Sequence, residues 1–299
     1  MCLNPLMQIE SLKVYCDLVE SESFTKTAQI NGVTQSAVSQ TITALERIYK
    51  SLLVERSKKQ FRLTREGQVL YDSSKEILQT YQALDSKLQE LKEIISGSIR
   101  VAAIYTIGLH DLPPYIKKFM QSHPDMNMHV EYRHSSQVYD DVLSNIVDLG
   151  LVAYPVKDAK LEIVPLHKDP LVLICHPQHP FAKLKSIKLK QLGDQKMVAF
   201  TQVEPTRKAL DKIFRQNGVV VQYALEFDNV ETIKRAVEID SGVAIVPEVT
   251  VRPEVSKKSL ATVELDGGQL SRPLAAIYKK DRVLSPGIKQ FLEVLKGAE

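Results

Sequence analysis

The chain has 299 residues, a length that predicts about two domains with room for sizeable cores. Hydrophobic residues make up 44% and charged residues 25%, which excludes a disordered or fibrous protein. The net charge is only +3, and the three widely spaced cysteines exclude a disulfide framework or a zinc cage. The start has no signal-peptide pattern and no apolar run reaches about 18 residues, so we expect a cytoplasmic protein without a membrane segment.

The first part of the chain predicts three helices in succession. Apolar residues in 8–22 recur mostly at helical spacing, and 23–30 predicts a short second helix that ends in a tight turn at Gly32. Thr34 is a good N-cap for a third helix. The apolar stripe of this third helix comprises Val38, Ile42, Leu45 and Tyr49.

The opposite face of the third helix is polar. It is either the solvated side of an ordinary amphipathic helix or the surface of a helix-turn-helix that enters a DNA major groove. In the second interpretation Gln, Ser and Thr side chains face base edges. The candidates for DNA contact on this face are Gln35, Ser36, Ser39, Gln40, Thr43 and Arg47.

A basic segment follows the third helix. From Arg47 to Arg65 the chain has seven Lys/Arg residues and one acidic residue, Glu55. Such a run is by itself typical of a solvated surface. Here, however, residues 52–64 alternate imperfectly between apolar and basic around a polar turn, which predicts a β-hairpin wing. Its cations would lie along DNA phosphates and add affinity without sequence information. They are Arg56, Lys58, Lys59 and Arg62.

Residues 8–67 resemble the winged helix-turn-helix of the LysR-type transcriptional regulators. The matching segments are FTKTAQINGVTQSAVSQTITALE at 24–46 and LLVERSKKQFRLTREG at 52–67. They include the Leu45-Glu46 pair and the L-T-x-x-G ending at Gly67, whereas Val54 stands where the family usually has Phe. The resemblance extends over the whole chain. It implies a ligand-responsive, sequence-specific regulator with a DNA-binding domain at 1–66, a linker at 67–97 and an effector-binding domain at 98–299.

Residues 66–96 predict one long helix without a proline, ending in a Ser-Gly-Ser hinge. Its apolar residues alternate spacings of four and three, as in a coiled coil, although a long amphipathic helix packed on its own domain is the alternative. The seam residues are Leu70, Ile77, Tyr81, Leu84, Leu88, Leu91 and Ile95. In the resembling family this helix pairs two DNA-binding domains. The resemblance therefore implies a homodimer, extended to a homotetramer, on double-stranded promoter DNA with inverted-repeat sites, with RNA polymerase as a candidate further partner.

From Ser98 onward short apolar strands alternate with helices. This βαβ pattern predicts parallel sheets in two α/β lobes with a cleft between them. We expect lobe 1 to comprise about 98–165 and 268–299, and lobe 2 about 166–267. The family resemblance implies a periplasmic-binding-protein-like effector domain.

Helix N-termini in such a cleft bind anions, so we expect a small anionic metabolite as effector. The positions that match the family's cleft are Tyr105, Thr106, Ser135, Ser136, Thr201, Thr206, Arg207, Asn229 and Thr232. For each Ser or Thr, helix capping is the alternative interpretation. Arg207 is the candidate partner of a carboxylate on the ligand.

Other chemistries find little support in the sequence. His176 and His179 lack the acidic or cysteine residues that would complete a metal shell, and no catalytic residue, metal or cofactor is predicted. Cys175 ends an apolar strand and is expected to be a buried hydrophobe rather than a redox sensor. Two alternatives to a regulator remain, an α/β enzyme and a solute-binding module without DNA regulation. As a DNA-binding protein we expect it at the nucleoid.

Overall fold

A computed structural model describes residues 8–57, 60–92, 95–266, 270–280 and 282–297. Of the predicted wing cations, Lys58 and Lys59 lie outside the described residues, as does the side chain of Arg56. The model confirms the predicted architecture of a winged helix-turn-helix, a long helix and a two-lobed α/β domain.

The N-terminal domain is a helical core with a short hairpin. Its elements are α1 (Ile9–Ser21), α2 (Phe24–Asn31), α3 (Gln35–Tyr49), β1 (Val54–Ser57) and β2 (Gln60–Leu63). The two strands are antiparallel, with Glu55 opposite Arg62. The Thr34 hydroxyl accepts a hydrogen bond from Ala37 N at 3.2 Å, as its N-cap role requires. Gly32 ends α2 at a φ of +63°, a left-handed conformation that favours glycine.

The long helix α4 (Arg65–Lys92) joins this domain to the rest of the chain. Four of the predicted seam side chains, Ile77, Tyr81, Leu84 and Leu88, are between 41% and 51% exposed. The ends of the predicted seam differ from expectation. Leu70 is buried in the N-terminal core, and Ile95 packs against the core of lobe 1. The apolar repeat is therefore longer than the exposed seam because both ends pack on the domains that the helix joins. The side chain of Leu91 lies outside the described residues.

Lobe 1 is built on three parallel strands, β3 (Gly97–Ile104), β4 (Met126–Arg133) and β5 (Leu149–Ala153), with β3 in the centre. The helices α5 (Pro113–Ser122), α6 (Ser135–Leu143) and α10 (Pro286–Lys296) cover the sheet, and a π-helical turn spans Ile107–Asp111. The helix α10 closes the chain and packs Phe291 edge-on against Phe119 of α5, with ring centroids 5.1 Å apart. The last helix thus returns to lobe 1, as the sequence predicts.

Two antiparallel strands, β6 (Leu161–Cys175) and β12 (Ser271–Lys279), run through both lobes. The sequence predicts only the second part of β6, because Pro165 and Pro170 interrupt its apolar pattern. Beside them the register of β12 shifts between Pro273 and Ala275. Since β12 is antiparallel to both β5 and β6, the sheet is mixed rather than parallel. The reason is that β12 returns from lobe 2 and must run in the opposite direction.

Lobe 2 contains β7 (Ser186–Lys188), β8 (Lys196–Phe200), α7 (Pro205–Gln216), β9 (Gln222–Phe227), α8 (Val230–Glu238), β10 (Ala244–Pro247), α9 (Arg252–Ser256) and β11 (Ala261–Asp266). β8 and β9 are parallel, whereas β10 and β11 are antiparallel to β6. The short strands β7 and β11 are not predicted by the sequence. Across the described ranges, no helix is long and apolar enough to cross a membrane.

Candidate DNA-binding surface and effector cleft

The helix α3 presents a polar surface and buries its apolar stripe. Val38, Ile42 and Leu45 are at most 1% exposed, whereas Tyr49, the fourth residue of the predicted stripe, is 42% exposed. On the opposite face all predicted residues reach the surface. Gln35, Ser36, Gln40, Thr43 and Arg47 are exposed and Ser39 is partly exposed. This face of α3 is therefore available to a groove in DNA.

The wing is tied to the helices at its base. The backbone N–H of Leu53 donates to Glu46 Oε1 at 3.0 Å, which fixes the chain after α3. Thr64 directly precedes α4, and its hydroxyl accepts from Gly67 N at 2.9 Å. A Cβ at Gly67 would lie 2.1 Å from the carbonyl oxygen of Leu53, so only glycine allows α4 to approach the wing this closely. The hydroxyl of Tyr15 donates to the Gly67 carbonyl at 2.8 Å and completes this corner.

The helices α1 and α2 are joined by a nearly buried carboxylate. Asp17 Oδ2 accepts from Asn31 Nδ2 at 2.8 Å and from Lys13 Nζ at 3.1 Å. Lys13 is on α1 with Asp17, whereas Asn31 is on α2, so moving the helices apart would remove one hydrogen bond from a nearly buried charge. The relative position of the two helices before α3 is thereby fixed.

A small cavity lies between the two lobes where three helices begin. The N-termini of α6 from lobe 1 and of α7 and α8 from lobe 2 all line it, together with Tyr105 and Thr106 after β3. The cavity measures about 30 Å³. Two flanking pockets of about 240 Å³ and 940 Å³ share His134 and Asp228 with it. Helix N-termini present free N–H groups and a partial positive charge, so this position favours anions.

The floor of this cavity is a buried ion pair. The side chain of Arg272 is 1% exposed, and its Nε and Nη2 donate to Asp169 Oδ2 at 2.9 and 2.8 Å. Its Nη1 donates to the hydroxyl of Thr106 at 2.9 Å. Thr106 therefore accepts a hydrogen bond from the floor of the cavity.

Two histidine–carboxylate pairs connect the lobes across the cleft. His134 Nδ1 lies 3.4 Å from Glu204 Oε1, and His110 Nε2 lies 2.9 Å from Glu231 Oε1. Burial, with a smaller contribution from Asp228, raises the pKa of Glu204 above its usual range. With both pairs formed, the cavity has room for only about two waters. The small cavity is therefore too small to hold a metabolite in this arrangement of the lobes.

Two family models match the chain. Residues 9–68 match a model described as "Bacterial regulatory helix-turn-helix protein, lysR family", and residues 92–299 match one described as "LysR substrate binding domain". The chain belongs to the LysR family of transcriptional regulators.

Individual relatives agree with this assignment. The HTH-type transcriptional regulator CysL of Bacillus subtilis is 26% identical over 97% of this chain and 97% of its own length. A full-length OxyR variant from Pseudomonas aeruginosa superimposes with a TM-score of 0.75 at 22% identity, covering 97% of this chain and 93% of that chain. The effector binding domain of QuiR, in complex with shikimate, has a TM-score of 0.62 at 22% identity and covers 68% of this chain and 96% of that chain. The two structures show a shared fold.

Six of the nine predicted effector residues of this LysR-type regulator line the cleft. Tyr105, Thr106, Thr206 and Asn229 line the small cavity, and Ser135 and Ser136 line the larger flanking pocket. Asn229 also caps α8, accepting from Thr232 N at 2.9 Å and from the Thr232 hydroxyl at 3.0 Å. Thr232 is thereby occupied in capping. Thr201 is not among the residues that line the cleft, and its hydroxyl is buried without a hydrogen-bond partner in the described parts of the chain.

Arg207 does not reach the cleft of the LysR-type regulator. Its Nε donates to both oxygens of Asp211 at 3.0 and 2.9 Å, and its Nη1 lies 3.1 Å from Glu226 Oε1. The guanidinium stacks on Tyr223 at 3.4 Å from the ring centroid. With two carboxylates and an aromatic face as partners, its charge is compensated inside lobe 2.

Several residues of the cleft are absent from the sequence prediction, among them His134, Glu204 and Arg272. His134 and Glu204 directly precede the starts of α6 and α7, so the N-cap position was the available signal. Arg272 lies 166 positions after its partner Thr106, and only the three-dimensional fold shows their contact.

The described cysteines of the regulator are buried. Burial raises the pKa of the Cys175 thiol to about 11, and that of Cys16 to about 12. Both thiols therefore stay protonated at neutral pH, in keeping with the expectation of a buried hydrophobe at Cys175. Within the described ranges, no group of three metal-ligating side chains forms.

Proposed function

We propose that this LysR-type regulator recognises promoter DNA with the exposed face of α3, while the wing binds the phosphates. In support, Gln35, Gln40 and Thr43 are exposed on one helix whose other face is held in the core. Amide and hydroxyl side chains at such positions can read base edges in the major groove, and basic residues beside them supply salt-dependent affinity. The proposed DNA contacts are Gln35, Ser36, Ser39, Gln40, Thr43, Arg47, Arg56, Lys58, Lys59 and Arg62.

The regulator acts as a two-fold homodimer joined through α4 in this proposal. The apolar side chains of α4 from Ile77 to Leu88 are exposed to solvent in the single chain. This exposed apolar face favours pairing with the same helix of a second chain. A two-fold dimer requires an inverted-repeat operator. Contacts between effector domains extend the dimer to a tetramer that acts at the nucleoid in the cytoplasm, and RNA polymerase is the further partner there.

The effector is a small anionic metabolite bound between the lobes. The observation that carries this proposal is the convergence of three helix N-termini, from both lobes, on one cavity beside Thr106. The QuiR domain, which shares the fold, is in complex with shikimate, a carboxylate. The similarity of the chain to regulators such as CysL also favours a regulatory over a catalytic function. The effector site comprises Tyr105, Thr106, Ser135, Ser136, Thr206 and Asn229 with the newly found His134.

Glu204 gives the effector a competitor inside the protein. Its carboxylate lies at the start of α7 and pairs with His134. An anionic effector would take the position that this carboxylate occupies. An incoming anion must displace this carboxylate. It thereby breaks the His134–Glu204 pair, one of the two histidine–carboxylate pairs described above. Binding then favours a different orientation of the lobes, and α4 transmits that change to the DNA-binding domains.

A ligand screen on the full chain tests the effector site. We would measure thermal unfolding with shikimate and other small carboxylates, because a ligand of the native state raises the melting temperature. Thr106→Val should abolish the rise for any hit, and Thr262→Val, an exposed threonine on β11, should leave it unchanged. A hit that stabilises both variants equally would place the effector elsewhere.

A further inference from the structure

A second cavity, of about 180 Å³, lies between the DNA-binding domain and lobe 1. Its walls come from α1, α2 and α4 on one side, and from β3, Asn145 and the end of β12 on the other. It shares no lining residue with the cleft between the lobes. We refer to it as the interdomain cavity.

The lining of the interdomain cavity is strongly basic. Its cationic side chains are Lys13, Lys75, Arg100, Lys279 and Arg282, and its carboxylates are Asp17 and Glu20. Asp148, behind this lining, pairs with both arginines. Five cations therefore face three carboxylates, so the cavity holds an excess of positive charge.

The carboxylate of Glu20 is already saturated by other groups. It accepts from Tyr71 at 2.9 Å and from Asn145 at 2.8 Å, and lies 3.1 Å from Lys75 Nζ. Lys279 Nζ is 3.5 Å away, beyond the usual hydrogen-bond distance. Glu20 thus ties the two domains together, and it gives Lys279 an ion pair at 3.5 Å that is longer than a good hydrogen bond.

Two donors in this cavity lack full hydrogen bonding. The side chain of Lys279 is only 15% exposed, and Arg282 Nε is buried without a hydrogen-bond partner in the part of the chain that the structure describes. Burial lowers the pKa of both groups. A buried cationic donor without a partner is costly, and an anion beside it would remove that cost.

We propose that the interdomain cavity binds a small tetrahedral oxyanion of the phosphate or sulfate class. Lys279 and Arg282 would hold it from the effector domain, Lys13 from α1 of the DNA-binding domain and Lys75 from the linker helix α4. Its volume exceeds that of such an anion, so a small organic phosphate also fits. Because the site is divided between two domains, the bound anion stabilises their present arrangement. The regulator thereby has an input separate from the effector cleft.

Isothermal titration of the DNA-free full chain with sodium phosphate and sodium sulfate tests this site, with sodium chloride at equal ionic strength as the baseline. We expect one anion per chain. Lys279→Gln should weaken binding about tenfold or more, since it removes a charge-assisted donor. Lys190→Gln, an exposed lysine in lobe 2, is the matched control and should bind like the parent.

Further variants separate a binding role from a folding role. Arg282→Lys keeps a cation for Asp148 but removes the buried Nε donor, and it should also weaken phosphate binding while its circular dichroism stays that of the parent. Thr106→Val should bind phosphate normally, because it lies in the other cleft. Phosphate heats no larger than those of chloride would overturn the proposal. So would binding that survives Lys279→Gln and Arg282→Lys but is lost in Thr106→Val.

Discussion

The pairing of Arg272 with Asp169 forms the floor of the cavity between the lobes. The two charges are nearly buried, and Arg272 also orients the Thr106 hydroxyl at the cavity floor. Such a pair adds little net stability relative to apolar residues, because both charges lose their hydration. Its removal is costly mainly when one partner is left behind. The pair therefore specifies the shape of the floor more than it stabilises the fold.

Removing one member of this pair should destabilise the chain more than removing both. We expect Arg272→Met to lower the free energy of unfolding by about 3–5 kcal/mol, since it leaves Asp169 buried and unpaired. The double variant with Asp169→Leu should recover much of that loss. Urea denaturation of both variants measures the difference. Equal losses in the single and double variants would contradict the buried-charge explanation.

Gly67 is the residue at which the wing and α4 come closest. Gly67→Ala should destabilise the DNA-binding domain by about 1–3 kcal/mol, because the new Cβ overlaps the Leu53 carbonyl and outweighs the helix propensity of alanine. Gly297→Ala is the control, since its Cβ would meet its nearest atom at an ordinary 3.4 Å. The melting temperature and DNA affinity of each variant check this. A Gly67→Ala variant as stable as the control would contradict the predicted overlap with the Leu53 carbonyl.

At the scale of elements, the helix α3 was predicted well because its pattern is local. The apolar stripe at Val38, Ile42 and Leu45 and the N-cap at Thr34 are properties of neighbouring residues. The strand β6 was predicted only in part, because its prolines are tolerated by pairing with β12 from the far end of the chain. A strand whose pairing partner lies far away in the chain cannot be predicted from the pattern of its neighbouring residues.

Different residues of the DNA-binding surface should control affinity and selectivity. Neutralising Lys58 and Lys59 together should weaken binding to all DNA sequences alike and reduce its dependence on salt. Gln40→Ala should instead reduce the preference for the operator over random DNA, by about 1–3 kcal/mol for a lost bidentate contact. Fluorescence anisotropy at several salt concentrations separates the two effects. Full discrimination by Gln40→Ala would remove it from the base-reading set.

The exposed part of α4 should be the dimer contact. Replacing Leu84 and Leu88 with lysine places like charges in the seam and should yield monomers with weakened operator binding. Light scattering gives the mass of the variant. Gln68→Lys with Asp72→Asn adds the same charge at exposed positions on the opposite side of α4 and is the control. An intact dimer with parental DNA affinity would refute the pairing of α4.

At the scale of the molecule, stability should decrease toward alkaline pH because of a pair near the lobe junction. A hydrogen bond with Asp111 at 3.2 Å raises the pKa of His167, outweighing burial. The pair stabilises the fold fully below the unfolded histidine pKa of about 6.5 and loses its effect as pH rises through the raised value. Melting temperatures between about pH 6 and 8 should therefore fall more steeply for the parent than for His167→Gln.

The cleft as a whole was only partly predictable. The family resemblance nominated Thr106, Thr206 and Asn229, and the structure places all three in the lining of the small cavity. It also nominated Arg207, whose guanidinium instead pairs with Asp211 and Glu226 inside its own lobe. Side-chain direction depends on neighbours that only the folded chain supplies. For the same reason the closing contact between His134 and Glu204 could not be inferred from either residue.

The paired strands β6 and β12 limit how the lobes can move. On the lobe 1 side Ala276 is opposite Val164, and on the lobe 2 side Arg272 is opposite Asp169, so neither strand can slide along the other. Between these points the register shifts and prolines without N–H donors weaken the ladder. The ribbon therefore resists translation and yields to bending at that one place. We therefore expect the lobes to open by bending of this ribbon, so that a larger ligand between them would leave a wider angle.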